Sequence, residues 1–266
     1  MTIRAEYETL KVAIDAHRVG TVTMNRPEAL NAMNTQMMVD LRDCFMAFYV
    51  DPDACACLIL TGAGTRGFCT GADLKERRGM TDAVWRRQHA IVEQAVRAIM
   101  DCPIPIIAAV NGAAFAGGLE LALACDFIYA ADHARFALTE VTLGIMPGAA
   151  GTQNLPRAVG VRRAKEIILA GQPFTSADAQ AWGLTNRVVP GDQLMAEVIT
   201  AAARIAANAP ISVRQAKLSI HRGLQSSLRD GLALEIEAYN RMVPTEDRRE
   251  GVLAFNEKRK PDFKGR

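Results

Sequence analysis

Two glutamates stand where a carboxylate is expensive. Glu120 sits in Gly117-Gly118-Leu119-Glu120-Leu121-Ala122-Leu123-Ala124, with no other polar residue before Cys125-Asp126. Glu140 follows Phe136-Ala137-Leu138-Thr139 and precedes Val141-Thr142-Leu143-Gly144. A carboxylate in apolar surroundings is costly unless it is paired or used. Desolvation also raises its pKa toward the range useful for proton transfer. The two are twenty residues apart, which on one helix would separate them by about 30 Å. The chain must therefore leave and return for both to reach one pocket. Taken singly, each could instead be a capping or salt-bridged glutamate.

Two glycine-rich turns accompany them. The first, Gly62-Ala63-Gly64-Thr65-Arg66-Gly67, follows the apolar run Cys57-Leu58-Ile59-Leu60 and has the form G-x-G-x-x-G. A dinucleotide loop needs a helix opening inside that motif and a second strand ending in an acid about 20 residues on. Here the loop continues as Phe68-Cys69-Thr70-Gly71-Ala72-Asp73, and the acid at that distance, Asp82, lies in a polar helix start. The nicotinamide reading is dropped. The second turn, Asn111 to Gly118, also ends an apolar strand. Backbone N–H groups at such turns and helix starts form local positive poles. One from each turn, aimed at a single oxygen, would make an oxyanion hole; ordinary strand–helix turns are the alternative.

The elements that must position these residues follow from pattern. Residues 7–14 and 19–24 read as a hairpin. Asn34 or Thr35 caps a helix over 36–50, and Thr81 caps another through about 100. Strands are expected at 57–61, 104–110 and 126–131, with a helix at 117–125. Short helices are expected at 161–170 and, capped by Ser176, at 176–182. From about 191 the pattern is helical, with Leu228, Leu232, Ile236, Tyr239 and Val243 forming one apolar stripe. The expected division is an α/β core over 1–190 and a helical region over 191–266.

Composition narrows the function classes. The 266 residues are half hydrophobic with a formal net charge of +2, enough for a full core and too balanced for a dedicated nucleic-acid binder. The six cysteines form no C-x-x-C, and the four histidines show no metal-ligand spacing, so no metal is expected. Reduced, partly buried thiols fit a cytoplasmic protein. Residues 1–14 lack the layout of a signal peptide. The most apolar stretch, 104–131, is broken by Pro105, Asn111, Glu120 and Asp126 and reads as core, not a membrane span.

Taken together, several stretches resemble the crotonase (enoyl-CoA hydratase/isomerase) superfamily. They are Asn25-Arg26-Pro27 with Leu30-Asn31-Ala32, Leu60-Thr61-Gly62 with Phe68 to Lys75, and Gly117-Gly118-Leu119-Glu120 with Cys125-Asp126. The series continues through Glu140, Leu143 to Gly148 and Gly151-Thr152-Gln153, and closes with Glu257 to Pro261. The resemblance implies a crotonase (ClpP-like) spiral of β-β-α turns with a C-terminal helical oligomerisation region, assembled as homotrimers or homohexamers. It implies an acyl-CoA substrate whose carbonyl oxygen is held by the N–H groups of Ala72 and Gly117, with Gly148 beside the water and acyl group. Coenzyme contacts would fall to Arg26, Thr70, Asp73, Leu74, Lys75 and Lys258.

Members with glutamates at both positions are typically hydratases, which add water across the 2,3 double bond of an enoyl-CoA and need no separate cofactor. Glu120 would orient the water and Glu140 would serve as the acid facing C2. An isomerase using chiefly Glu140 is the rival within enzymes. The look of residues 71–80 and 117–126 is also close to methylglutaconyl-CoA hydratases, a branch with an RNA-binding relative. Here Lys75, Arg77, Arg78, Arg86, Arg87 and Arg97 make segment 75–97 basic, but Trp85 is its lone aromatic. A solvated helix face is expected there, and nucleic acid is not. Leu138-Thr139, Ala150 and Asn154 depart from common hydratase residues, which bears on the acyl group more than on the reaction.

Overall fold

The computed structural model describes residues 2–266. An antiparallel hairpin, β1 (Leu10–Ile14) and β2 (Val19–Met24), opens the chain. Next come α1 (Thr35–Val50), β3 (Cys57–Gly62), β4 (Gly67–Cys69), α2 (Leu74–Arg77) and α3 (Asp82–Asp101). They are followed by β5 (Ile106–Val110), β6 (Ala113–Phe115), α4 (Gly117–Ala124), β7 (Phe127–Ala131) and β8 (Arg135–Ala137). A 3₁₀ turn at Glu140–Leu143 leads to α5 (Gly151–Val159), α6 (Val161–Ala170), β9 (Phe174–Thr175), α7 (Ser176–Ala181) and β10 (Arg187–Val189). Four helices close the chain: α8 (Leu194–Ala206), α9 (Pro210–Gly223), α10 (Leu228–Asn240) and α11 (Glu246–Asn256).

The strands form two sheets, one ordered β1-β2-β3-β5-β7-β10 and the other β4-β6-β8-β9. Strands β2, β3, β5, β7 and β10 run parallel to one another, with β1 antiparallel at the edge. Every residue of β3 and β5 is buried, as a parallel strand covered on both faces requires. Each of β3, β5 and β7 is followed at once by a short strand of the second sheet, and then by helix. That alternation is the expected spiral of β-β-α turns.

The short strands β4, β6 and β8 lie side by side and parallel, pairing Gly67 with Ala113 and Phe115 with Ala137. Sequence pattern predicts none of them. The loops that leave their C-terminal ends carry Ala72, Gly117 and Glu140, so this small sheet is what gathers the site. Helix α4 lies so close to β4 that a Cβ on Gly118 would fall 1.9 Å from the Cys69 carbonyl oxygen. Only glycine fits there.

Local capping follows the sequence reading in most places. Asn34 Oδ1 accepts from Met37 N–H at 2.9 Å, and Thr81 caps α3. Helix α7 differs: Thr175, not Ser176, is its cap, through reciprocal bonds with Asp178. Ser176 is buried and donates its hydroxyl to the Asp132 carbonyl. Helix α5 is unexpected because Pro156 sits inside it.

The segment after residue 190 divides by packing. Helix α8 lies against β2, β3, β5 and β7 with Leu194, Val198 and Ala202 buried, and so belongs to the core. Helices α9 and α10 pack on each other. The predicted stripe is uncovered: Leu228, Leu232, Ile236, Tyr239 and Val243 are all exposed in the single chain. All six cysteines are free and buried. Burial pushes the thiols of Cys44, Cys57 and Cys69 up to about 12 and that of Cys102 to about 11. Cys55 and Cys125 are raised by the same cause. Among the described residues no single helix is long and apolar enough to cross a membrane.

Candidate active site

A cavity of about 530 Å³ lies beside the ends of β4, β6 and β8 and is lined by both glutamates, Ala72, Gly117 and Gly148. The chain's return after β7 therefore does bring Glu120 and Glu140 together. Gly117 begins α4, and Glu120 faces the cavity from that helix's first turn. Ala72 does not open a helix: it precedes Asp73, the cap of α2, so its amide is a loop amide. Among the described residues neither the Ala72 nor the Gly117 N–H has a protein acceptor. The turns are close, since a Cβ on Gly117 would lie 3.9 Å from Gly71 Cα. Ala116 turns the chain between them at φ 49° and ψ −126°, a strained conformation for a residue with a side chain.

The glutamates differ in their surroundings. Glu120 Oε1 accepts from the Ala149 and Gly151 amides, each at 2.8 Å. Burial raises its pKa, and the Gly151, Ala149 and Gly148 amides oppose the rise without cancelling it. Gly151 must be small, because a Cβ there would lie 2.7 Å from Glu120 Oε1. Both Glu140 oxygens are buried without a hydrogen-bond partner. Burial pushes the Glu140 pKa up to about 7, its own amide opposes this, and the Glu120 charge adds to it. Amide donors favour an ionised carboxylate, and their absence favours a protonated one. Burial thus favours a proton on Glu140 near neutral pH, with the two carboxyls titrating as a coupled pair.

The coenzyme candidates occupy varied settings. Arg26 Nη2 pairs with Asp73 Oδ2 at 3.0 Å while Nη1 donates to the Ala32 carbonyl. Burial raises the Asp73 pKa, but Arg26 and the Glu76 and Lys75 amides outweigh it and hold it below its ordinary value. Arg26 and Asp73 thus spend their charges on each other, joining the 25–33 loop to α2. Thr70 and Leu74 line the cavity. Lys75 is exposed beside them and makes no ion pair among the described residues. Lys258 is exposed beyond α11, with a φ of 57°, and does not line the cavity.

The G-x-G-x-x-G loop opens no helix. Asn111 Nδ2 donates to the Gly62 and Gly64 carbonyls, and Asn31 Nδ2 donates to those of Ala63 and Gly67. The side chains of these two asparagines tie the loop down. Among the described residues no group of three His, Cys, Asp or Glu converges to hold a metal.

Sequence reasoning missed the wall made by α2 and α3. Trp85, Gln88, His89 and Val92 line the cavity at the i, i+3, i+4, i+7 spacing of one helix face. The expected solvated face holds at Lys75, Arg78, Arg87 and Arg97, the last in an exposed pair with Glu93, but Arg77 turns inward and is half-buried.

The chain is similar along almost its whole length to named relatives and solved structures. A crystal structure of an enoyl-CoA hydratase from Bacillus anthracis superposes with a TM-score of 0.95 at 41% identity, covering 97% of this chain and all of that one. A short-chain-enoyl-CoA hydratase of Clostridium acetobutylicum is 40% identical over 94% of this chain and 95% of its own. A 2,3-dehydroadipyl-CoA hydratase of Escherichia coli is 39% identical over 94% of this chain and 96% of its own. The family model described as Enoyl-CoA hydratase/isomerase matches residues 15–266, and the chain belongs to that family.

Proposed function

We propose that the protein is an enoyl-CoA hydratase, adding water reversibly across the 2,3 double bond of an enoyl-CoA thioester. The observation that carries this is the unequal glutamate pair in one cavity with two unclaimed amides: Glu120 tethered by backbone donors, Glu140 buried without any. The Ala72 and Gly117 N–H groups would receive the thioester oxygen and stabilise the negative charge that develops on it, each such donor being worth about 10²- to 10³-fold in rate. Water held near Glu120 and Gly148 gives a proton to Glu120 as its oxygen bonds C3. Glu140 delivers its proton to C2. The pair ends with its proton moved from one carboxyl to the other, and exchange resets it. This sequence of steps calls on no cofactor beyond the coenzyme A carried by the substrate.

Thr70 and Leu74 in the cavity lining, with Lys75 exposed next to Leu74, are the groups we assign to coenzyme contact, braced by the Arg26–Asp73 pair. Lys258 would join them only across an assembly, which we propose forms through the uncovered stripe on α10 as a trimer or hexamer. The six unpaired thiols support a reducing, cytoplasmic setting. The short-chain and dehydroadipyl hydratases stand at almost equal identity, so identity does not choose the acyl group.

The test is spectrophotometric. Adding the protein to crotonyl-CoA should remove the conjugated enoyl-thioester absorbance and yield a product heavier by one water. A product of unchanged mass with a moved double bond would make the enzyme an isomerase, and no reaction with any enoyl-CoA would overturn the reading.

A further inference from the structure

One wall of the cavity carries a cation that the hydration chemistry does not use. Arg77 on α2 is half-buried, and its guanidinium covers the Trp85 ring at 4.3 Å. Its Nε donates to Gln88 Oε1 at 2.8 Å. Gln88 is itself buried and fixed, donating to Thr35 Oγ1 and Glu76 Oε2. Among the described residues no carboxylate pairs with Arg77, and its two terminal nitrogens have no acceptor. Burial lowers its pKa, with the nearby Glu76 opposing. Glu76 Oε2 accepts from the Thr35 amide and from Gln88 and forms no ion pair with Arg77, so its charge acts on the guanidinium only through space. A guanidinium taken partly out of water and held over a ring, with its terminal nitrogens unpaired, suits a bidentate anion.

Its place along the cavity says which anion. The His89 ring packs on Gly148, where a Cβ would lie 2.7 Å from His89 Cε1. Gly148 adjoins Ala149, whose amide holds Glu120, so His89 marks the reacting end. Trp85 is one turn away on the same face, about 6 Å along the helix axis, and Arg77 covers it. The lining also carries apolar side chains at Val92, Leu143 and Ile145. Arg86, exposed, adds a second positive charge, and the sole carboxylates in the lining are the catalytic pair.

Resting on the hydratase reading, we propose that the preferred acyl group is a short chain ending in a carboxylate, received by Arg77 on its Trp85 platform. The same guanidinium chemistry would serve a coenzyme phosphate, and the experiment separates the two sources. It compares hex-2-enoyl-CoA with hex-2-enedioyl-CoA, which differ only in a terminal methyl or carboxylate. The wild type should favour the acid in kcat/KM, and Arg77→Met should lower that preference about 10- to 100-fold, the worth of a charged hydrogen bond. The loss should appear chiefly in KM, and Arg77→Lys should restore part of it.

Binding of the saturated pair, adipyl-CoA and hexanoyl-CoA, should show the same change in preference without any turnover. Equal losses on both chains would assign Arg77 to the coenzyme or to packing and overturn the proposal. So would a wild-type preference for the methyl end. If neither enoyl-CoA is hydrated while adipyl-CoA still binds in preference to hexanoyl-CoA through Arg77, the hydration step fails and the anion site stands.

Discussion

Replacing Glu140 with glutamine should make the enzyme nearly inactive and, in alkaline solution, more stable. The side chain is buried with both oxygens unpaired, and its pKa is raised from 4.5 to about 7. Below pH 4.5 it is protonated in both the folded and the unfolded chain. Between 4.5 and about 7 the unfolded chain ionises first, so stability falls as pH rises; above about 7 the loss levels off. Each tenfold change in proton affinity is about 1.4 kcal/mol, which gives about 3 kcal/mol at full effect. Solvent at the cavity mouth screens part of it, leaving about 1.5–3 kcal/mol.

Glutamine keeps the shape and does not titrate. The stability of Glu140→Gln minus that of the wild type should therefore grow by this amount between pH 4.5 and pH 8. Taking the difference between two proteins removes every other titrating group. Urea melts at half-unit pH steps measure it directly, and thermal melts should show roughly 2–4 °C per kcal/mol. In the same samples hydration at pH 7 should fall about 10²- to 10⁴-fold. Wild-type kcat should also decline tenfold per pH unit above about 7, because the protonated acid is the working form. A stability difference that stays flat with pH, or that turns in favour of the wild type at high pH, would refute the unpaired-acid argument.

Gly118→Ala should destabilise the chain by 3 kcal/mol or more, since its methyl would meet the Cys69 carbonyl at 1.9 Å where overpacking already costs about 1–3 kcal/mol; a normal urea midpoint would count against the backbone packing described. Ala150 sits at a φ of 73° in the turn that holds Glu120, so Ala150→Gly should add up to about 1 kcal/mol as relief of left-handed strain outweighs the extra freedom of the unfolded chain, read from the same midpoint. The uncovered α10 stripe should drive self-association, and Leu232→Asp with Ile236→Asp should shift the mass seen by light scattering toward the single chain. A wild-type protein that is already a monomer at micromolar concentration would reject that assignment.

The sequence made β3, β5, α1 and α3 legible because apolar runs and capping residues are local signals. It did not reveal β4, β6 and β8, three residues each, because so few residues cannot display alternation and their partners are distant in the chain. Yet those strands assemble the site. Glu120 and Glu140 were readable as charges set in apolar runs. Their inequality was not, since it rests on the amides of Ala149 and Gly151, and a backbone donor leaves no mark in residue type. Arg77 was misread as one more solvated base because its neighbours Arg78 and Arg86 are indeed exposed. What separates it is the Gln88–Thr35 brace, which joins residues 53 apart.

The six buried thiols give the protein an internal clock of its own opening. A thiol reagent needs both access and a thiolate, and packing restricts both while the chain is folded, least completely at Cys125, which lines a surface cavity. Their positions span the hydrophobic core from α1 through the ends of α3 and α4. Labelling at each one therefore times the motion that exposes that region. Cysteines that react together would mark a unit that opens together, and one that reacts early would mark a local breach in the core.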